Sequence, residues 1–145
     1  MEKSTFKTTI NAPREKVWEV LWGDNSYTQW TAAFAEGSQV NTTWEKGSKA
    51  IFHDGSNNGM VARIADNIPN EFMSIQHLGE INNGVEDLTS DKVQAWAGAF
   101  ENYRLTNVNG KTELLVEMDL VDEFKDYFMK AWPVALDKVK ELSEQ

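Results

Sequence analysis

The sequence predicts an α+β fold: a seven-stranded antiparallel sheet, two short helices after the first strand, and one long helix at the C-terminal end. Three observations carry that prediction. Apolar and polar residues alternate at the start (Phe6, Thr8 and Ile10 against Thr5, Lys7 and Thr9) and again in several short runs between residues 36 and 120. Turn sequences divide those runs, notably Glu45-Lys46-Gly47-Ser48, Gly55-Ser56-Asn57-Asn58-Gly59 and Asn109-Gly110. From Phe124 the apolar period changes to three and four, through Phe128, Trp132, Leu136, Val139 and Leu142.

Each element follows from local chemistry. Asn11-Ala12-Pro13 ends the first strand, and Pro13 suits a first helical turn, where its missing N–H is not needed. Glu15 complements the positive helix start, and Val17, Val20 and Leu21 recur at helical spacing, with Trp18 and Trp22 widening the stripe. Gly23-Asp24-Asn25-Ser26 breaks this helix, and a second short one is expected over about 26–32. Six strands follow. Ser38 to Trp44, Lys49 to Asp54, Met60 to Asp66 and Phe72 to Leu78 are joined by short turns. Tyr103 and Leu105 lie in the next, and Asn109-Gly110 leads to a return strand with clean alternation of Leu114, Val116, Met118 and Leu120. Glu80 to Trp96 is polar and reads as a long loop with a short helix near Ser90. In the final helix Asp122-Glu123 and Lys138 and Lys140 match the macrodipole, and Pro133 predicts a kink.

Composition excludes several classes. The chain has 145 residues, which suits one domain over 1–145 able to bury a core without a disulfide or metal staple. No apolar run approaches the ~20 residues of a membrane span. The absence of cysteine removes disulfides, thiolate catalysis and cysteine zinc sites. Fourteen Lys+Arg against 23 Asp+Glu, a net charge of −9, argue against nucleic acid or an anionic membrane as partner. The first residues carry no basic segment followed by an apolar stretch, so a cytoplasmic protein is expected.

The chain resembles the SRPBCC, START-like (birch-pollen-allergen-like) superfamily, and within it the branch named after the activator of the ninety-kilodalton heat-shock protein ATPase. Five segments carry the resemblance: Ile10-Asn11-Ala12-Pro13-Arg14-Glu15-Lys16-Val17-Trp18, Trp44-Glu45-Lys46-Gly47-Ser48, Gly59-Met60-Val61-Ala62-Arg63-Ile64, Asn102-Tyr103-Arg104-Leu105 and Gly110-Lys111-Thr112-Glu113-Leu114. It implies a helix-grip fold, in which a curved sheet wraps the long C-terminal helix and leaves a cavity between them. It also implies partners ranging from small apolar molecules to a chaperone, and some members are enzymes. Fold alone does not choose among these.

Residue chemistry narrows the choice. Trp30, Met60, Met73, Ile75, Trp96, Phe100, Tyr103, Met118, Phe124, Phe128 and Trp132 are the expected lining of the space between sheet and helix, with Trp18 and Leu21 assigned to core packing. Aromatics bring large apolar area with a polar tip on Tyr and Trp, and methionines adapt to irregular shapes. That mixture suits a pocket for a small apolar ligand, the alternative being a core that the same side chains fill. His77 is the expected polar group of the pocket, because Met73 and Ile75 share its strand face. His53 and His77 lack the spacing of a metal site, and Asp54 to Ala65 imitates an EF-hand loop but has no glutamate at its twelfth position. Among the acidic residues only Glu101, flanking the cavity strand between Trp96 and Tyr103, is a candidate for a buried general acid, and the favoured expectation places it on the solvent face. No catalytic residue, metal or cofactor is assigned.

The expectation is therefore a non-enzymatic domain binding a small apolar or aromatic ligand, gated by the Glu80–Trp96 loop and the kink at Pro133. A chaperone-interacting domain is the alternative, and a cyclase- or hydrolase-type enzyme using the same cavity is a third.

Overall fold

The computed structural model describes all 145 residues. The chain runs β1 (Glu2–Ile10), α1 (Arg14–Trp22), α2 (Asp24–Thr31), β2 (Gln39–Asn41), β3 (Lys49–His53), β4 (Gly59–Ile68) and β5 (Phe72–Asn82). It continues through β6 (Val85–Asp87), α3 (Asp91–Gln94), β7 (Phe100–Val108), β8 (Lys111–Leu120) and α4 (Asp122–Ser143). The seven expected strands are all present, in the sheet order β1-β8-β7-β5-β4-β3-β2, with every pairing antiparallel. Two register shifts in β4, at Val61/Ala62 and Ile64/Asp66, bend the strand and help to curve the sheet.

The main departure from the sequence reading lies in the polar stretch after Leu78. β5 runs on to Asn82, an Asn83-Gly84 turn with positive φ at both residues follows, and β6 pairs back on β5. β6 therefore takes the lane beside β5 that β7 leaves at Gln76. The expected short helix is present as α3, capped by Ser90, whose side chain accepts from the Val93 N–H. Strand β2 is shorter than expected, because Trp44 turns the chain at φ +64 rather than continuing extended. Its carbonyl accepts from Asn67 Nδ2 at 2.8 Å, which helps to hold that conformation.

A single apolar cluster lies between the sheet and the helices, built from Phe6, Ile10, Val17, Leu21, Ala62, Ile64, Leu114, Val116, Trp132, Leu136 and Val139 among others. Helix α4 packs on β1, α1 and α2. Its buried residues begin at Ala131, so the C-terminal part is anchored while the first turns are exposed except for the half-buried Phe128. The helix runs unbroken through Pro133, whose missing N–H leaves the Met129 carbonyl without its helical donor. Thr112 is fully buried, and its hydroxyl donates to the Ala12 carbonyl at 2.7 Å, tying the approach to α1 to the β7–β8 hairpin. No helix is long and apolar enough to cross a membrane.

Candidate functional site

Between the sheet and α4 lies a cavity of about 390 Å³. Its walls are aromatic: Trp22 from α1, Tyr27 and Trp30 from α2, Phe34 after it, Phe52 from β3 and Trp132 from α4. These rings brace one another. Trp22 and Tyr103 meet edge to face at 4.8 Å, Phe34 and Trp132 likewise at 4.8 Å, and Trp30 and Trp132 lie 6.1 Å apart. Two of the indoles are also pinned by hydrogen bonds: Trp30 Nε1–H donates to the Leu21 carbonyl at 3.1 Å, and Trp132 Nε1–H donates to Met118 Sδ at 2.9 Å. Fixed rings preserve an open shape where freely rotating ones would collapse into it.

One polar cluster interrupts this surface. His77 on β5 and Glu101 on β7 point to the same side, with His77 Nε2 and Glu101 Oε1 2.9 Å apart and their side chains only 15% and 17% exposed. A carboxylate only accepts, so Nε2 donates the proton of this contact. Nδ1 is buried without a partner. The Tyr103 hydroxyl donates to the other Glu101 oxygen, Oε2. Burial, then the Glu101 charge and that hydrogen bond, push the Tyr103 hydroxyl pKa well above its ordinary value. Burial and the same carboxylate push Tyr27 up as well, so both phenols stay protonated. The Trp22 N–H is a second buried group without a partner on this wall.

A second cavity of about 460 Å³ lies beside the first. It runs under the first turns of α4 and is lined by Met60, Trp96, Leu120, Phe124 and Tyr127. His77, Glu101, Met118 and Phe128 border both spaces, so the polar cluster stands in the partition between them.

The residues expected from sequence distribute accordingly. Trp30, Ile75, Tyr103 and Trp132 line the first cavity, Met60, Trp96 and Phe124 the second, and His77, Met118 and Phe128 both. Met73 and Phe100 line neither. Met73 is wholly buried in the core, and alternation along β7 sets Phe100 on the face opposite Glu101 and Tyr103. Glu101 is not on the solvent face, because it shares the parity of Tyr103. Tyr27, Phe34 and Phe52 were not singled out from sequence, although the i, i+3 spacing of Tyr27 and Trp30 on α2 was visible there. Asp119, near the end of β8, accepts from the Phe100 N–H at 2.9 Å. His53 sits at the rim, its Nδ1 accepting from the Gly55 N–H at 3.1 Å. No three His, Asp or Glu side chains converge as a metal site would require.

The family described as "Activator of Hsp90 ATPase homolog 1-like protein" matches residues 11–144. The chain belongs to this family. Solved structures similar to it share the fold of the activator-like branch at low identity. The Aha1 dimer from Colwellia psychrerythraea aligns with a TM-score of 0.72 at 20% identity, over 99% of this chain and 97% of that one. Protein MLL2253 from Mesorhizobium loti gives 0.72 at 15% identity, over 97% and 96%. DynU16, a putative protein of the dynemicin biosynthetic locus, gives 0.71 at 12% identity, over 97% of this chain and 46% of its own. No curated protein matches the sequence. Membership of the activator-like family is in keeping with the helix-grip architecture.

Proposed function

We propose that this member of the activator-like family is a non-enzymatic binding domain, spanning residues 1–145 and acting in the cytoplasm, that holds a small apolar or aromatic molecule between sheet and α4. The observation that carries the reading is the roughly 390 Å³ cavity, walled by braced aromatic rings and holding one small polar cluster. Small-molecule sites have this composition: mostly apolar walls, with a few polar groups that fix orientation. Native mass spectrometry of the purified protein, with a thermal-shift screen of lipophilic metabolites, tests it. A ligand at a hundred times its dissociation constant adds about 2.7 kcal/mol of stability. No co-purifying molecule and no shift across the screen would sink the reading.

A chaperone-interacting role is the second reading, favoured by the family description and by exposed apolar residues along α4: Phe124, Tyr127, Met129 and Val134. The similar structure from Colwellia psychrerythraea is described as a dimer, so self-association belongs to the same reading. Pull-down with the chaperone and an ATPase assay separate the two; no stimulation at micromolar concentration ends the chaperone role.

A further inference from the structure

We propose that the cavity selects an apolar or aromatic molecule bearing a protonated amine and turns away anionic amphiphiles such as fatty acids. This rests on the ligand-binding reading above and adds the charge of the ligand to it.

The argument is the balance of charge on the walls. The first cavity is bordered by two carboxylates, Glu101 in its depth and Asp54 at its rim, and by no lysine or arginine. Its two imidazoles each stand beside one of these acids: His77 against Glu101, and His53 next to Asp54 in sequence. The remaining polar groups are neutral, among them the Tyr27 hydroxyl and the Gln39 and Asn58 amides. The second cavity adds Glu80, Asp119 and Glu123 against a single Lys92, which already lies 3.4 Å from Glu80. A carboxylate or phosphate brought into either space would meet no unpaired cation, and desolvating it there would be costly.

A cation meets the opposite conditions. Each Glu101 oxygen uses one lone pair, toward His77 or Tyr103, and keeps one acceptor position. The Tyr27 phenol stays protonated, and its oxygen is available as a further acceptor. Around them stand the rings of Trp22, Trp30, Trp132 and Phe52, and a cation seated over the face of such a ring is attracted by its quadrupole. An ammonium group can therefore donate a charge-assisted hydrogen bond to Glu101 while its apolar body lies among the rings.

The experiment uses three probes with the same ring system: 1-naphthylmethylamine, 1-naphthalenemethanol and 1-naphthoate. Each is titrated calorimetrically into the full chain at pH 8 and moderate salt, which screens the general repulsion of an acidic protein. The expected order is amine, then alcohol, then carboxylate, with the amine at least tenfold tighter than the carboxylate. Glu101→Gln keeps the shape and an acceptor for Tyr103; it should weaken the amine about tenfold and leave the alcohol unchanged. Asp137→Asn removes the same unit of charge from the exposed face of α4 and should change nothing. If the alcohol binds but the carboxylate matches or exceeds the amine, or if Glu101→Gln and Asp137→Asn behave alike, the charge selectivity is overturned and the binding reading stands. If none of the three binds, both fall.

Discussion

Trp132 is the residue on which the cavity wall and the core depend together, and Trp132→Ala should show it. The indole is 1% exposed. It stacks on Phe6 at 5.7 Å and meets Phe34 at 4.8 Å, Tyr103 at 5.9 Å and Trp30 at 6.1 Å. Its N–H donates to Met118 Sδ. Truncating a buried Trp to Ala costs about 3–5 kcal/mol. The neighbouring rings can settle partly into the space left beside the adjoining cavity, so about 3–4 kcal/mol is expected. For a chain of this size each kcal/mol lowers Tm by about 2–4 °C, giving a fall of about 6–16 °C. The assay is urea unfolding followed by circular dichroism, with scanning calorimetry as a check. Trp132→Phe should lose less than half as much, since a ring remains between Phe6 and Phe34. A loss below about 1 kcal/mol for Trp132→Ala, with an unchanged denaturant slope, would refute the bracing argument.

Other outcomes follow from single contacts. Gly59→Ala should prevent folding or cost several kcal/mol, because a Cβ there would stand 2.0 Å from the Phe52 carbonyl oxygen, within the β3–β4 pairing; an expression and unfolding comparison with wild type checks it. Tyr103→Phe should leave Glu101 Oε2 without its donor and cost about 1–3 kcal/mol by chemical denaturation, with the fold retained by circular dichroism. Glu144→Gln should weaken the C-terminal staple. There the hydrogen bond from Lys140, then that from the Asn11 N–H, holds the Glu144 pKa below the ordinary glutamate value. A depressed folded pKa means the stabilisation is complete above the unfolded value and fades as pH falls through the folded one. The difference between wild type and variant should therefore be present at pH 7 and vanish in strong acid; a gap that persists there contradicts the linkage.

The fold was legible where period and burial agreed. β8 alternates buried residues with half-buried or exposed ones along its whole length, and the Phe124–Leu142 spacing marks α4. β6 was not, because Val85-Glu86-Asp87 carries no apolar period: Val85 is 67% exposed, and the strand is held by backbone pairing to β5. The Asn83-Gly84 turn was the available signal. At the site, apolarity by itself misled at Phe100, whose parity places it on the other face. Counting in twos from Tyr103 puts Glu101 on the inward face, a signal that strand alternation alone supplies. What no pattern could supply was the partnership across strands: His77 and Glu101 are 24 residues apart and meet only through the β5–β7 register.

Helix α4 also divides in its dynamics. From Ala131 onward it is anchored, while Asp122 to Lys130 forms a roof over the second cavity with little beneath it but Phe128 and the Tyr127 hydroxyl bond to the Phe34 carbonyl. Pro133 and the unpaired Met129 carbonyl mark the joint between the two parts. Opening the first turns breaks few buried contacts, so it costs far less free energy than global unfolding. Amides of residues 125–130 should exchange with solvent through such local openings, and those of residues 135–142 only with the whole domain. A molecule could then pass in and out while the core stays folded, with its residence time set by the fraying of about two helical turns.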